Sequence, residues 1–275
     1  MGVTYALLAA LAWGGGDFSG GLASRGDGPF RVLARAAVAG LILATIGAFA
    51  FGEPFPGRRD VAWALAGGTA GALGVVALYR GFAIGRIAVV APLAAVIGAA
   101  VPLFVEVVDS GWPGASATAG LGLALVGIWL VTGVGKKDGG ADLESIGLAT
   151  LAGLGFGAFF VFMGRLETDG ALWPTAIARS AWVVVGFARV ASQGHLPQLI
   201  RHRNPMAWWA GALDAAGNVF YVLAAGATRL DVAAVLSSLY PAFTVLLARV
   251  VLREDLTRGQ VAGLVLCFAA VALLV

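Results

Sequence analysis

Ten apolar stretches of about 20 residues fill most of this 275-residue chain, at about 3–23, 30–51, 61–83, 87–108, 115–135, 145–165, 173–192, 206–227, 230–251 and 257–275. Hydrocarbon offers no water to backbone N–H and C=O groups, so a segment crossing it must bond its own backbone, as an α-helix does. The sequence therefore predicts an all-α membrane protein with ten transmembrane helices and the lipid bilayer as its solvent. Composition agrees. Hydrophobic residues make up 60% and charged residues 12%, against about 25% charged in soluble domains, and mean hydropathy is +0.90.

The stretches come in two sets of five. Shifted by 143 positions, Gly74 falls on Gly217, Arg86 on Arg229, Ala119-Gly120-Leu121 on Ala262-Gly263-Leu264 and Leu130 on Leu273. An odd number of crossings per copy turns the second copy upside down, the construction of many secondary transporters. The expected organisation is two inverted five-helix repeats, 1–138 and 139–275, joined through the glycine-rich, charged residues 135–140. Connections elsewhere are short and leave no room for a soluble domain. The 41 glycines would weaken helices in water, but in lipid they let backbones approach closely.

Other function classes find little support. The single cysteine, Cys267, forms no intrachain disulfide, so redox chemistry has no basis. His195 and His202 lack metal-ligand spacing, and no metal or other cofactor is expected. A formal charge of +3 without basic runs interleaved with aromatics provides no nucleic-acid surface. An enzyme would need convergent nucleophile, base or metal ligands, and the chain shows none. The first stretch lacks a basic leader and is interrupted by Asp17, so it is expected to stay in the mature protein. Loop Lys and Arg residues number four on the side of the N-terminus and nine on the other, which favours an outside N-terminus.

Polar residues at membrane depth are the candidates for mechanism, because a charge there costs about 2.5–3.5 kcal/mol on insertion scales. Asp17 follows Trp13 and the glycines Gly14, Gly15 and Gly16, a run that invites local unwinding toward a cavity. Arg35 lies at similar depth, roughly 8–10 Å from the same face, and is the expected partner of Asp17; the alternative role of such a pair is to tie the first helix to the second. In the eighth stretch Asp214, Asn218 and Tyr221 share one helix face and are expected to line a cavity. Arg179 is about 9 Å and Asp214 about 20 Å below the face where the seventh helix begins, so a direct pair between them is expected to be strained. That leaves Asp214 for a proton or a substrate cation.

Ser237, Ser238 and Tyr240 precede Pro241, which removes a helical hydrogen bond and is expected to bend the ninth helix into a binding wall; the alternative for the serines is helix-to-helix adhesion. Tyr79, beside Arg80 in the third stretch, is a further candidate for the cavity, whereas Arg80 is expected to snorkel. Glu106 and Arg249 sit near the ends of the fourth and ninth stretches, where gating, anchoring and interfacial solvation are all open. Trp112, Trp173, Trp208 and Trp209 lie near segment ends as interfacial anchors.

The segment ends resemble the EamA family of the drug/metabolite transporter superfamily. The resemblance rests on Ala12-Trp13-Gly14, Arg35, Ser237-Ser238-Leu239-Tyr240-Pro241, Arg253-Glu254-Asp255-Leu256-Thr257 and Gly263, and it extends over nearly the full length. The first half departs from it at Gly111-Trp112-Pro113-Gly114. The resemblance implies a ten-helix carrier with a central cavity between its repeats, lined by helices one, three, four, six, eight and nine. The expected function is secondary transport of a small polar or amphipathic metabolite, an amino-acid-like compound or a drug, across the inner membrane by alternating access. No Walker motif occurs, so an ion gradient or the substrate's own gradient drives it, with protons as candidate coupling ions. A multi-pass monomer or homodimer is expected. The competing reading is a non-transporting membrane scaffold or sensory subunit.

Overall fold

The computed structural model describes residues 1–83, 87–131, 143–201, 204–253 and 256–274. Among them the regular elements are all α-helices: α1 (Gly2–Gly26), α2 (Pro29–Ala50), α3 (Arg58–Ala83), α4 (Ile87–Ser110), α5 (Ala115–Val131), α6 (Leu143–Gly164), α7 (Leu172–Ser192), α8 (Leu196–Arg201), α9 (Pro205–Ala227), α10 (Leu230–Ser237), α11 (Tyr240–Val251) and α12 (Arg258–Leu274). The expected repeat junction at 138/139 lies outside the described residues. Among the described residues six stretches are long and apolar enough to cross a membrane, namely Phe30–Ala50, Arg58–Leu78, Leu93–Ser110, Leu143–Gly164, Pro205–Ala227 and Leu230–Val251. Helices α5 and α12 are apolar but shorter. Helices α1 and α7 have the length, 25 and 21 residues, and carry Asp17 and Arg179 in their interiors.

Two features differ from the sequence expectation. A short helix, α8, occupies the connection between α7 and α9. The ninth stretch is interrupted: Ser238 and Leu239 have ψ of −1° and 1° instead of the helical value near −42°. Pro241 supplies the reason, since it has no N–H to donate to the carbonyl of Ser237. Helix α11 therefore starts anew at Tyr240.

Packing follows a pattern that maps onto itself when the halves are exchanged. Helix α1 lies along α9 and α6 along α3; α2 meets α9 and α7 meets α3; α4 packs on α6, while α10 and α11 pack on α1. The pairs α2·α7 and α5·α12 are their own counterparts. Two glycines 143 positions apart carry equivalent crossings. A Cβ on Gly68 of α3 would lie 2.3 Å from the carbonyl oxygen of Ala178 in α7, and one on Gly211 of α9 would lie 2.1 Å from that of Ala36 in α2. No side chain fits at either crossing, and the backbones touch directly.

Polar contacts tie both ends of the bundle. At the end holding Met1, here the proximal end, Glu53 accepts hydrogen bonds from the backbone N–H groups of Ala171, Leu172 and Trp173 (2.7–3.2 Å), capping α7 from a distant loop. Arg229 there pairs with Glu106 (3.8 Å) and Asp231 (3.1 Å) and donates to the carbonyl of Gly111, while Arg165 pairs with Asp109. At the distal end Arg80 pairs with Glu144 (3.4 Å), so Arg80 reaches outward as expected. Glu106 therefore has an ion-pair partner at the proximal end.

Replacing Gly211 or Gly68 with Ala forces a methyl group against a backbone carbonyl. Each substitution is expected to destabilise the protein by about 1–3 kcal/mol, the usual cost of overpacking, and to lower the thermal midpoint in detergent. Gly21→Ala, which meets no atom within 4 Å, serves as the control with an unchanged midpoint.

Candidate functional site

The polar interior forms where α1 and α9 cross. Glycines flatten both helices there. A Cβ on Gly217 would lie 2.4 Å from the Trp13 ring, and one on Gly16 would lie 3.3 Å from the carbonyl of Ala210. With no side chain at Gly217, the Trp13 indole lies across α9 and its Nε1–H donates to Asn218 Oδ1 (3.1 Å) and to the carbonyl of Asp214 (3.2 Å). The polar face of α9 read from the sequence thus meets the tryptophan read from α1.

Accessibility along these helices singles out two acids. At about 100° per residue, Asp17 falls in phase between Ala6 and Ala10, both fully buried, and close to Trp13 at 8% exposure. The lipid-side positions Thr4 and Leu11 are exposed, as expected for the outer face, and so is Asp17 at the centre of the inner one. Asp214 repeats this behaviour on α9. It is in phase with buried Ala207 and Tyr221, yet its side chain is 32% exposed. Both carboxylates lie nine residues from the distal ends of their helices, at Gly26 and Pro205, which is about 14 Å of depth. They are within electrostatic range of each other and of the Tyr240 hydroxyl.

Arg179 and Asp214 form a direct ion pair, contrary to the expectation from depth alone. Arg179 is 1% exposed, and its stem passes Gly40 of α2, where a Cβ would lie 3.2 Å from the arginine Cδ. The absent side chain opens a lane along which the long aliphatic stem covers the axial offset. The guanidinium also lies 5.0 Å over the Trp182 ring, a cation–π contact that offsets part of its desolvation.

Arg35 does not pair with Asp17. It pairs with Asp27, at the C-cap of α1, and donates to the carbonyl of Leu199 from Nε (3.3 Å) and Nη2 (3.0 Å). Asn204 donates to the same Asp27 carboxylate (3.2 Å) and to the carbonyl of Ala23 (3.1 Å). The reason is length. Helix α1 continues to Gly26, beyond the expected end at 23, so Asp17 is deeper than Arg35 and turned toward α9. Burial raises the Asp27 carboxyl pKa, but the Asn204 hydrogen bond, the Arg35 hydrogen bond and charge, and the Arg31 charge outweigh it and hold the group below its ordinary value of 3.8. Asp27 and Asn204 carry no distinguishing signal in the sequence, because short polar residues at segment ends look like ordinary caps.

Beyond Trp13, toward the proximal end, the interior closes. Trp13, Phe159, Phe160 and Tyr221 have ring centroids 4.9–6.3 Å apart, and the Tyr221 hydroxyl donates to the carbonyl of Phe160 (2.6 Å). All four are buried, as is Asn218. Ser237 donates to the carbonyl of Ala6 (3.4 Å) and Ser238 to that of Ala234 (2.7 Å). In this conformation Tyr221, Asn218 and Ser237 join helices to one another, while Ser238 bonds back within α10. Tyr240 is half-buried, edge-on to Trp13 at 6.4 Å. Tyr79 belongs to α3 with its side chain outside the described residues. No group of three or more His, Cys, Asp or Glu suited to a metal ion occurs among the described residues.

The buried Asp27–Arg35 contact generates a stability prediction. Asp27→Asn leaves a buried guanidinium short of its counter-charge and is expected to cost on the order of 3 kcal/mol, seen as a lower thermal midpoint at neutral pH. Because the folded carboxyl titrates below its unfolded value, the contribution is present above about pH 4 and is lost as pH falls through the lowered pKa. The difference between wild type and variant should therefore shrink below about pH 4.

Residues 143–275 match the model of the EamA-like transporter family. No curated protein matches the chain. Fifteen chains of solved structures match it. One crystal structure, described only as that of a protein, superposes with a TM-score of 0.71 over 99% of this chain and 95% of its own at 17% sequence identity. At that identity the likeness is one of fold.

Proposed function

We propose that this chain, which belongs to the EamA-like transporter family through its residues 143–275, is a secondary carrier that moves a small polar or amphipathic metabolite, an amino-acid-like compound or a drug by alternating access. It is a multi-pass membrane protein. The proposal places it in the inner membrane, with ten crossings arranged as two inverted five-helix repeats. Support for the repeats comes from the self-mapping helix contacts and the equivalent crossings at Gly68 and Gly211.

One observation carries the reading: two aspartates are accessible at the centres of helix faces that are otherwise buried. A bundle sealed for structural purposes would close over such groups, since a charge at membrane depth is costly. The cleft lies on the distal side of the closed layer of Trp13, Phe159, Phe160 and Tyr221. Arg229, Glu106 and Asp231 add a second closure at the proximal end. Access from one side only is what a carrier shows in one of its two states. With the N-terminus outside, as the loop charges favour, the cleft faces the cytoplasm.

A single cysteine at Gly20, on a Cys267→Ser background and in sealed vesicles, tests this. Gly20 lies on the cleft stripe of α1, where a Cβ would meet only Ala210 at 3.7 Å. An impermeant thiol reagent is expected to modify the site from the distal side and not from the proximal side. Protection from both sides would favour the scaffold reading, and labelling from both sides a channel.

A further inference from the structure

We propose that Asp17 anchors the positive head of an amphipathic organic monovalent cation, whose apolar body lies against the aromatic layer that begins at Trp13. The inference rests on the carrier reading and narrows its substrate class.

The cleft holds Asp17, Asp214 and Arg179, and Arg179 is committed to Asp214. Asp17 makes no hydrogen bond or ion pair among the described residues, and its electrostatic neighbours are Asp214 and the Tyr240 hydroxyl. With Asp17 ionised the local sum is one negative charge, placed about 14 Å from the nearer end of the bundle. An uncompensated charge at that depth is costly, and its natural complement is a single positive charge. An anion would meet like charge and find the arginine occupied.

The kind of cation follows from the walls. A hard metal ion takes six to eight oxygen ligands, and a single free carboxylate cannot supply them. An ammonium needs one carboxylate and a nearby aromatic face. The 143-residue shift that relates the halves exchanges Asp17 with Phe160, Asp214 with Gly71, Asn218 with Val75 and Trp13 with Phe156. The wall made by α1 and α9 is thus charged and polar, while its counterpart from α6 and α3 is apolar and aromatic. Trp13 joins the two, one helical turn from Asp17 and 5.7 Å from the Phe160 ring. A ligand with a charged head and an apolar body matches both walls at once, which a symmetric site would not favour.

The test uses three probes of similar size on the purified full-length protein: phenethylamine, which is protonated at neutral pH, 2-phenylethanol and phenylacetate. Binding is read by calorimetry and by thermal shift. The ammonium is expected to bind at least about tenfold more tightly than the alcohol or the carboxylate, a ratio in the range of one good charge pairing. Asp17→Asn should reduce the ammonium to the level of the alcohol, and Asp17→Glu should keep the preference.

Without ligand, Asp17→Asn should melt no lower than wild type, because no ion pair is lost; a lower midpoint would indicate a structural role and overturn the assignment. Equal affinities for the three probes, absence of ammonium binding, or a preference that survives Asp17→Asn would each also overturn it. One-sided labelling at Gly20→Cys without any charge preference would sink this inference and leave the carrier reading standing. Charge-selective binding together with a site sealed from both sides would do the reverse.

Discussion

Water is absent from the hydrocarbon region, and every polar group placed there must find its partner within the protein. The ion pair between Arg179 and Asp214 is where this constraint is most demanding, because the arginine is almost completely enclosed. Three helices cooperate to permit it: α7 provides the cation, α9 the anion, and α2 a glycine past which the stem runs. Removing Asp214 leaves the enclosed arginine stranded, a cost of about 3–5 kcal/mol for a buried charge that loses its partner. The pair therefore holds the α2, α7 and α9 cluster in register and commits Asp214 to Arg179. Asp17 is thereby left as the uncommitted acid of the cleft.

Near symmetry in the backbone carries strong asymmetry in chemistry. Gly68 and Gly211 make the same kind of crossing in the two halves, and α5 packs on α12 through Gly127 and Gly263, where an added Cβ would meet backbone atoms at 3.0 Å or less. Small residues at such points set the architecture, because helices in lipid associate by close van der Waals packing and not by hydrophobic exclusion from water. The polar side chains fall on α1 and α9, whereas the symmetry-related α6 and α3 offer Phe156, Phe159, Phe160 and glycines. Equivalent crossings thus frame a one-sided arrangement of polar side chains.

The two ends of the bundle are tied differently. At the proximal end, Arg229 is shared by Glu106 and Asp231 and Glu53 caps α7. The Asp231 hydrogen bond to Arg229 holds the guanidinium pKa above its ordinary value, against the opposing effect of partial burial. At the distal end the Asp27, Arg35 and Asn204 cluster joins α1, α2 and the α8–α9 connection. These clusters close over loops, while the central cleft keeps two carboxylates accessible. The break at Ser238 and Leu239 lies beside Trp13 and Asp17 through Tyr240, so the interrupted helix borders the cleft at mid-depth.

Helical identity, the placement of apolar segments and the polar face of α9 were legible in the sequence, because each is a local or periodic property of residue types. The bend before Pro241 was legible for the same reason: a missing N–H is a property of one residue. Pairing was not. Arg35 and Asp27 meet because α1 runs three residues further than its apolar stretch suggests, and Arg179 reaches Asp214 because Gly40, on a third helix, leaves a lane. Such contacts depend on helix rotation, tilt and the volume left by neighbours, quantities that no single segment contains. The sequence by itself determined which charges enter the membrane; tertiary packing decided which of them are neutralised and which one still faces the cleft.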